Sequence, residues 1–249
     1  MENYRCVTSV QEIQEYIGNA AVVAFDYETA PDEPYRMEEK AALDPYKSHI
    51  VGCSFSTKEH TGIYVPVAHK VGENIENALF LCFLKSFLTN KNIIKIAHNI
   101  AFESAVSCHQ GIVIQPPVYD TICAAQMTLK SNYEFRKLAD SGLKKLASEL
   151  CHEPLPTFSE VTNGRHFDEL DAQDSETVRY GCADSDFALR LYHIFNNWFD
   201  RFLPKHRYIA EQIESPTAVY LGIMKHNGVP VDADLMKSHQ QEAEQQMQR

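Results

Sequence analysis

The sequence predicts an α/β fold in which helices cover a sheet. Short runs of β-branched and aromatic residues indicate four strands, at residues 21–29, 50–56, 62–67 and 93–97. Apolar residues at helical spacing follow in residues 74–88, and a second helical run at 120–129 opens on Asp120, a typical N-cap residue. Because strands come first and mix with helices afterwards, we expect a sheet covered by helices.

The second half of the chain reads as mostly helical. Residues 129–168 are less regular, and the prolines and glycine of residues 151–164 are typical of a loop. From Asp171 a long helical pattern runs to Pro204, and a second helical stretch continues to about His226. A turn then leads into a polar, glutamine-rich helix, which we interpret as cut off at Arg249.

The composition is that of a globular chain with a sizeable core. It has 249 residues and is 44% hydrophobic. The N-terminus has no basic segment before an apolar run, and no later run approaches the roughly 20 apolar residues of a membrane span, so we expect a cytoplasmic protein without a membrane association. The seven cysteines are scattered and form no C-x-x-C pair, which favours reduced thiols over disulfides or a zinc site.

The charge is strongly acidic, with a formal net value of −11. Binding to nucleic acid phosphates requires aligned lysines and arginines, and no such stripe is visible. Small basic groups at residues 136–137, 144–145 and 201–207 are interpreted as solvated helix faces. Acidity suits a site that gathers divalent cations, because hard metals prefer carboxylate oxygens.

Two acidic residues end the first predicted strand, in the run VVAFDYETA. Because side chains alternate along a strand, Asp26 and Glu28 share one face with Ala24, and the neighbouring aromatic residues point to the other. Two like charges on one buried face repel each other and are costly to desolvate, so a bound cation would stabilise them. A surface strand end with two solvated acids is an equal alternative, since D-x-E is a common tripeptide.

A second group of polar residues follows a predicted strand in the run IIKIAHNIAFES. The strand ends at Ala97, and His98 and Asn99 lead into a helix that carries Phe102 and Glu103. Sites often lie where a strand ends and a helix begins. Taken alone, however, such a histidine is more often a packed side chain than a ligand, and one glutamate says little.

A third group lies within the long predicted helix, in the run RYGCADSDFALRLY. Tyr180 and Asp184 are four residues apart and share a face with an apolar stripe that includes Phe187 and Leu191. The stripe should face the sheet, so Asp184 needs compensation that the same cation would supply. Local hydrogen bonding of this aspartate at a helix edge is the alternative.

The order of the three motifs D-x-E, H-N-x-x-F-E and Y-x-x-x-D resembles the exonuclease motifs of the DnaQ-like superfamily, in its tyrosine-containing (DEDDy) branch. Segments such as DPYKSHIVGCSFS and VYDTICAAQM look like the proofreading domain of bacterial, family A DNA polymerase I. This resemblance covers about residues 4–203. Residues 211–232 are similar to the segment that opens the polymerase domain. The resemblance implies an exonuclease domain at 1–203 and a truncated, helical start of a polymerase domain at 204–249.

The resemblance implies a ribonuclease H-like fold with a mixed five-stranded sheet and a C-terminal helical extension. It also implies two divalent cations, Mg²⁺ or Mn²⁺. One would be held by Asp26, Glu28 and Asp184, and the other by Asp26 and Glu103. Tyr180 and Glu28 would orient the attacking water. Contacts with the terminal nucleotides are implied for Thr29, His98, Asn99 and Phe102. The expected partners are a single-stranded or frayed 3′ end of DNA and the rest of a polymerase, with the chain itself a monomer.

One position departs from the family, which has aspartate where this chain has Glu103. The additional methylene moves the carboxylate by more than an ångström, whereas catalytic placement tolerates about half of that. Because glutamate also binds magnesium, we expect retained activity. A catalytically weak or inactive scaffold or DNA-binding module is the alternative, and a stand-alone RNA-trimming exonuclease is a narrower rival.

Overall fold

The computed structural model describes residues 2–130 and 132–247. Its centre is a mixed six-stranded sheet of order β1-β4-β3-β2-β5-β6. The strands are β1 Asn3–Cys6, β2 Val22–Pro31, β3 Ser48–Ser56, β4 Thr61–Pro66, β5 Ile94–Ala97 and β6 Val118–Asp120. β3 pairs antiparallel with β2 and β4, while the pairs β1–β4, β2–β5 and β5–β6 are parallel. The long strand β2 therefore lies in the interior of the sheet.

The described part of the chain has ten α-helices. They are α1 Val10–Ile17, α2 Asn77–Leu88, α3 Ile100–His109, α4 Thr121–Leu129, α5 Leu143–Leu146, α6 Phe158–Thr162, α7 Ser175–Phe202, α8 Pro204–Ile209, α9 Ser215–Asn227 and α10 Ala233–Met247. Short π-helical segments, Ala147–Cys151 and Ala210–Glu214, follow α5 and α8. The last two residues of the predicted C-terminal helix, 248 and 249, lie outside the described residues.

The predicted fold class is confirmed, and the sheet has six strands where five were expected. The two strands without a sequence signal are the short edge strands β1 and β6. The predicted loop at 151–164 was wrong in part, because α6 forms within it. Thr157 caps that helix, and the Glu160 carboxylate accepts a hydrogen bond from the backbone N–H of Thr157, a pattern that stabilises a short helix despite the nearby prolines.

The two faces of the sheet carry separate hydrophobic cores. Phe25 and Tyr27 of β2 pack with residues of α1, α2 and α3, whereas Ala24 packs with α4 and α7. This is the alternation predicted for the strand. Phe187 and Leu191 of α7 belong to the same core as Ala24, so the apolar stripe of the long helix does face the sheet. Asp26 and Glu28 consequently point to the side of the sheet covered by α7.

Glycines let α7 approach the sheet closely near the predicted motifs. Gly52 of β3 pairs with Glu28, and a Cβ at Gly52 would lie 2.0 Å from the Tyr64 hydroxyl. On the helix, a Cβ at Gly181 would lie 2.6 Å from Cδ2 of the same tyrosine. The ring of Tyr64 is therefore held between β3 and α7, next to the position of Tyr180.

All seven cysteines are free thiols, which agrees with the prediction of reduced cysteines. No helix in residues 2–130 and 132–247 has the length and apolar character needed to cross a bilayer.

Candidate active site

Three carboxylates from two distant segments meet between β2 and α7. Asp26 and Glu28 come from the strand and Asp184 from the helix, and one oxygen from each lies within 4.8 Å of the others. Glu28 is buried and the other two are half-buried. The strand is irregular at this point, since its pairing with β3 shifts register between Glu28 and Thr29. We call these three residues the carboxylate cluster.

Mutual repulsion and burial act together on the carboxylate cluster. Burial raises the pKa of Asp26 and of Glu28 well above the usual range, and the negative charge of Asp184 adds to both shifts. Burial also raises the pKa of Asp184 to about 6. The positive charge of Lys144 opposes all three shifts. A bound cation would stabilise a cluster of this kind, because its positive charge offsets the repulsion between the carboxylates and replaces the hydration that they lose on burial.

Glu103 lies near the carboxylate cluster but is not one of its three members. Its side chain starts from the first turn of α3 and is only 1% exposed. Burial raises the pKa of Glu103, and the second cause is the negative charge of Asp26. The structure therefore places this residue beside Asp26, where the resemblance implied the second cation.

Two carboxylate oxygens at the site are buried and have no hydrogen-bond partner among residues 2–130 and 132–247. They are Oε1 of Glu28 and Oε2 of Glu103. Buried acceptors in proteins are normally satisfied, and leaving one unpaired costs about 1–3 kcal/mol. Carboxylate oxygens are the ligands that Mg²⁺ and Mn²⁺ prefer. The residues present therefore fit a site for hard divalent cations.

Tyr180 lies one helical turn before Asp184 and is 5% exposed. Its ring packs against Phe167 and Phe158, with centroid distances of 5.7 and 6.3 Å. Burial raises the pKa of Tyr180, as do the negative charges of Glu28, Asp184 and Asp26. The hydroxyl therefore stays protonated at neutral pH and can donate a hydrogen bond beside the cluster.

Asp120 organises the start of α3, which carries Glu103. Its carboxylate accepts hydrogen bonds from the backbone N–H groups of Asn99 and Ile100, at 3.1 and 3.0 Å, and from Ile122 at 2.8 Å. One side chain thus caps both α3 and α4. Asn99 adopts the left-handed conformation with φ of 77°, and its side chain is exposed. Asn99 therefore lies at the turn between β5 and α3.

The other expected nucleotide-binding residues lie near the carboxyl ends of the parallel strands β2 and β5 but are partly engaged within the protein. The Thr29 hydroxyl donates to the Ala42 carbonyl at 2.7 Å. His98 Nδ1 lies 2.8 Å from the Thr121 hydroxyl, and its Nε2 is buried and has no partner in the described part of the chain. Burial lowers the pKa of His98 to about 4. Phe102 is half-buried against the core that contains Phe25.

Comparisons with known proteins identify the family of this chain. Residues 1–200 match the model of a family described as 3′–5′ exonuclease. The chain belongs to this 3′–5′ exonuclease family. It is 26% identical over 239 residues to the DNA polymerase I of Borreliella burgdorferi, a match that covers 94% of this chain and 24% of the relative. The chain thus spans about a quarter of the length of the curated relatives that it matches.

Solved structures share the fold of this exonuclease chain. The POL domain of Pol1 from M. smegmatis, in complex with DNA primer-template and dNTP, has a TM-score of 0.67 at 15% identity, covering 98% of this chain and 35% of that one. Brucella melitensis NrnC with bound Mg²⁺ has a TM-score of 0.56 at 18% identity, covering 94% and 99%. Escherichia coli RNase D, an exoribonuclease, has a TM-score of 0.60 at 13% identity, covering 91% and 52%.

Sequence reasoning missed the roles of two residues at the candidate site. The first is Lys144, which was interpreted as part of a solvated basic pair. Lys145 is indeed exposed and pairs with Glu149, but Lys144 is half-buried and reaches Tyr180. The second is Asp120, which was recognised as a cap of α4 but not of α3. Neither contact has a signal in the sequence, because both partners are distant in the chain.

Proposed function

We propose that the chain is a metal-dependent 3′–5′ exonuclease that hydrolyses the terminal phosphodiester of a single-stranded or frayed DNA end. The observation that carries the proposal is the carboxylate cluster, three acids from two distant segments within 4.8 Å of one another. Membership of the 3′–5′ exonuclease family supports the reaction class. Similarity to DNA polymerase I supports DNA as the substrate and proofreading as the role.

Each acidic residue has a proposed place in a two-metal site. Asp26, Glu28 and Asp184 would hold one divalent cation, and Asp26 with Glu103 would hold the other. Bound Mg²⁺ or Mn²⁺ would make a water molecule acidic enough to attack near neutral pH and would stabilise the charge that develops on the phosphate. The unpaired oxygens of Glu28 and Glu103 support these assignments.

Protein groups would orient the water and the nucleotide. Tyr180 would donate a hydrogen bond to the water oxygen, while Glu28 would accept a hydrogen bond from the same water. Thr29 would contact the terminal nucleotide through its backbone, since its hydroxyl already donates to a carbonyl. His98 and Asn99 would contact the adjacent phosphate or sugar, and Phe102 would pack against a splayed base.

The domain organisation is also a proposal. Residues 1–203 would form the exonuclease domain, and residues 204–249 would begin a polymerase domain. The coverage of 98% of this chain by the polymerase structure supports that assignment. We further propose that the protein acts as a cytoplasmic monomer and depends on the rest of a polymerase to deliver the primer end, because its own net charge of −11 opposes binding to DNA.

The test is a digestion of a 5′-labelled single-stranded oligonucleotide with Mg²⁺ or Mn²⁺. We expect shortening from the 3′ end that disappears in Asp26→Ala and persists in Asp140→Asn, a matched exposed control. An RNA strand of the same sequence serves as the second substrate, and faster loss of RNA would replace the DNA assignment with an exoribonuclease. No shortening of either strand in either metal would support the inactive scaffold.

A further inference from the structure

The ammonium group of Lys144 is fixed beside the carboxylate cluster. Lys144 lies on the short helix α5 and donates hydrogen bonds of 2.8 Å to the Tyr180 hydroxyl and 2.8 Å to the Pro156 carbonyl. Its Nζ also lies 4.0 Å from the centroid of the Tyr180 ring. Three contacts on a long and flexible side chain restrict it to one position. A lysine that only covered a helix face would not be held in this way.

The direction of the Lys144–Tyr180 hydrogen bond determines what the tyrosine can do. An ammonium group has donors and no acceptor, so the phenol oxygen must accept. The single O–H of Tyr180 is then left to donate elsewhere. Within residues 2–130 and 132–247, the hydroxyl makes no other hydrogen bond. Its proton is therefore available to a molecule bound at the cluster.

The aromatic neighbours of Tyr180 hold its ring but do not direct its hydroxyl. Phe158 and Phe167 are apolar contacts of the ring. Without the ammonium group, the O–H would be free to rotate, and it could donate to a nearby carboxylate oxygen instead of to a bound water. Lys144 also lies close enough to the cluster that its charge lowers the pKa of Asp26 and Asp184.

We propose that Lys144 is a positioning residue of the exonuclease reaction, which holds the Tyr180 hydroxyl as an acceptor and so keeps its O–H directed at the attacking water. This inference rests on the proposed function. Orientation of a reactant contributes to the rate of the chemical step, and a residue with only this role adds nothing to binding of the DNA end. The loss of Lys144 should therefore lower kcat and leave KM nearly unchanged.

The experiment is a double-mutant cycle with Lys144→Met and Tyr180→Phe, measured by steady-state digestion of the labelled oligonucleotide in saturating Mg²⁺. We expect K144M to lower kcat about tenfold, with KM within about twofold of the wild type. In the Y180F background, the same substitution should change kcat by less than about twofold, because its effect passes through the tyrosine hydroxyl. Lys144→Arg should restore part of the rate, since arginine also only donates.

Lys145→Met is the matched control, because Lys145 is adjacent, exposed and paired only with Glu149. It should have the wild-type kcat. Circular dichroism and thermal unfolding check that each variant folds. Lys144→Leu, which also removes the donor, replaces K144M if that variant does not fold. A kcat loss that is equally large in the Y180F background would overturn the proposal.

A second readout does not depend on activity. In ¹H–¹⁵N spectra of lysine ammonium groups, a hydrogen-bonded Lys144 should give a slowly exchanging signal that K144M removes and Y180F perturbs. The absence of such a signal would overturn the inferred contact in solution. If the wild type digests DNA and K144M digests it equally fast, only the positioning role fails. If the wild type digests nothing in either metal, the proposed function fails and the positioning role falls with it.

Discussion

Removal of one charge from the carboxylate cluster should stabilise the metal-free protein. The perturbation is Asp184→Asn, which keeps the size of the side chain and removes its negative charge. Burial raises the pKa of Asp184 from 3.8 to about 6, so the folded protein binds its proton more tightly than the unfolded chain does. The stability that this proton provides is fully present below about pH 4 and is lost as the pH rises through about 6.

The size of the effect follows from the pKa difference. A rise from 3.8 to about 6 is about 2 units, and at 1.36 kcal/mol per unit it costs the folded wild type about 3 kcal/mol at pH 8. At pH 5 the aspartate is mostly protonated in the folded protein, so about half of this cost remains. Asparagine has no such cost. For a chain of 249 residues, about 3 kcal/mol corresponds to a Tm increase of roughly 6–12 °C.

The assay is urea unfolding in EDTA at pH 8 and pH 5, followed by circular dichroism. D184N should exceed the wild type in free energy of unfolding at both pH values, with the larger difference at pH 8. Asp140→Asn, an exposed control, should stay within about 0.5 kcal/mol of the wild type. Added Mg²⁺ should stabilise the wild type more than D184N, because the variant lacks one ligand. Equal stability of D184N and wild type at pH 8 would refute the reasoning.

Two further predictions concern α3 and the helices around it. Glu103→Asp should keep or raise exonuclease activity in Mg²⁺, since the shorter side chain restores the carboxylate of the family pattern; a large drop in kcat would mean that the chain has adapted to glutamate. Gly222→Ala should destabilise the chain by about 1–3 kcal/mol in urea unfolding, because the new Cβ would lie 2.3 Å from the Ala101 carbonyl oxygen where α9 packs on α3. Gly142→Ala, which has open space around it, is the control, and equal midpoints for the two variants would contradict the packing argument.

The clearest periodic patterns in the sequence predicted correctly which side chains share a face. The acidic pair on β2 and the Tyr180–Asp184 face of α7 were placed correctly, because periods of two and of about four residues determine which side chains share a face. The strand β1 was missed because it has only four residues, and its burial alternates between exposed and half-buried. The helix α6 was missed because its capping residues follow two prolines, and the composition of the segment suggested a loop.

Charge partners could not be found from the sequence. Lys144 and its neighbour Lys145 are the same residue type on the same short helix, yet one is directed to Tyr180 and the other to solvent. A helix of four residues has no amphipathic pattern long enough to separate the two. The contact of Asp120 with α3 could not be predicted for a similar reason. The Asn99 and Ile100 N–H groups that donate to its carboxylate lie about 20 residues before it in the chain, at the start of a different helix.

The sequence by itself determined the α/β class, the faces on which the acidic residues lie and the family to which the motifs belong. Those properties are local or follow from the order of motifs along the chain. Only the tertiary structure decided that Asp26, Glu28 and Asp184 come within 4.8 Å of one another, that Glu103 lies beside them, and that Lys144 holds the Tyr180 hydroxyl. The reason is that these distances depend on how α7 packs against the sheet and how α5 packs against α7. Such packing joins segments whose separation in the chain carries no information about their contact.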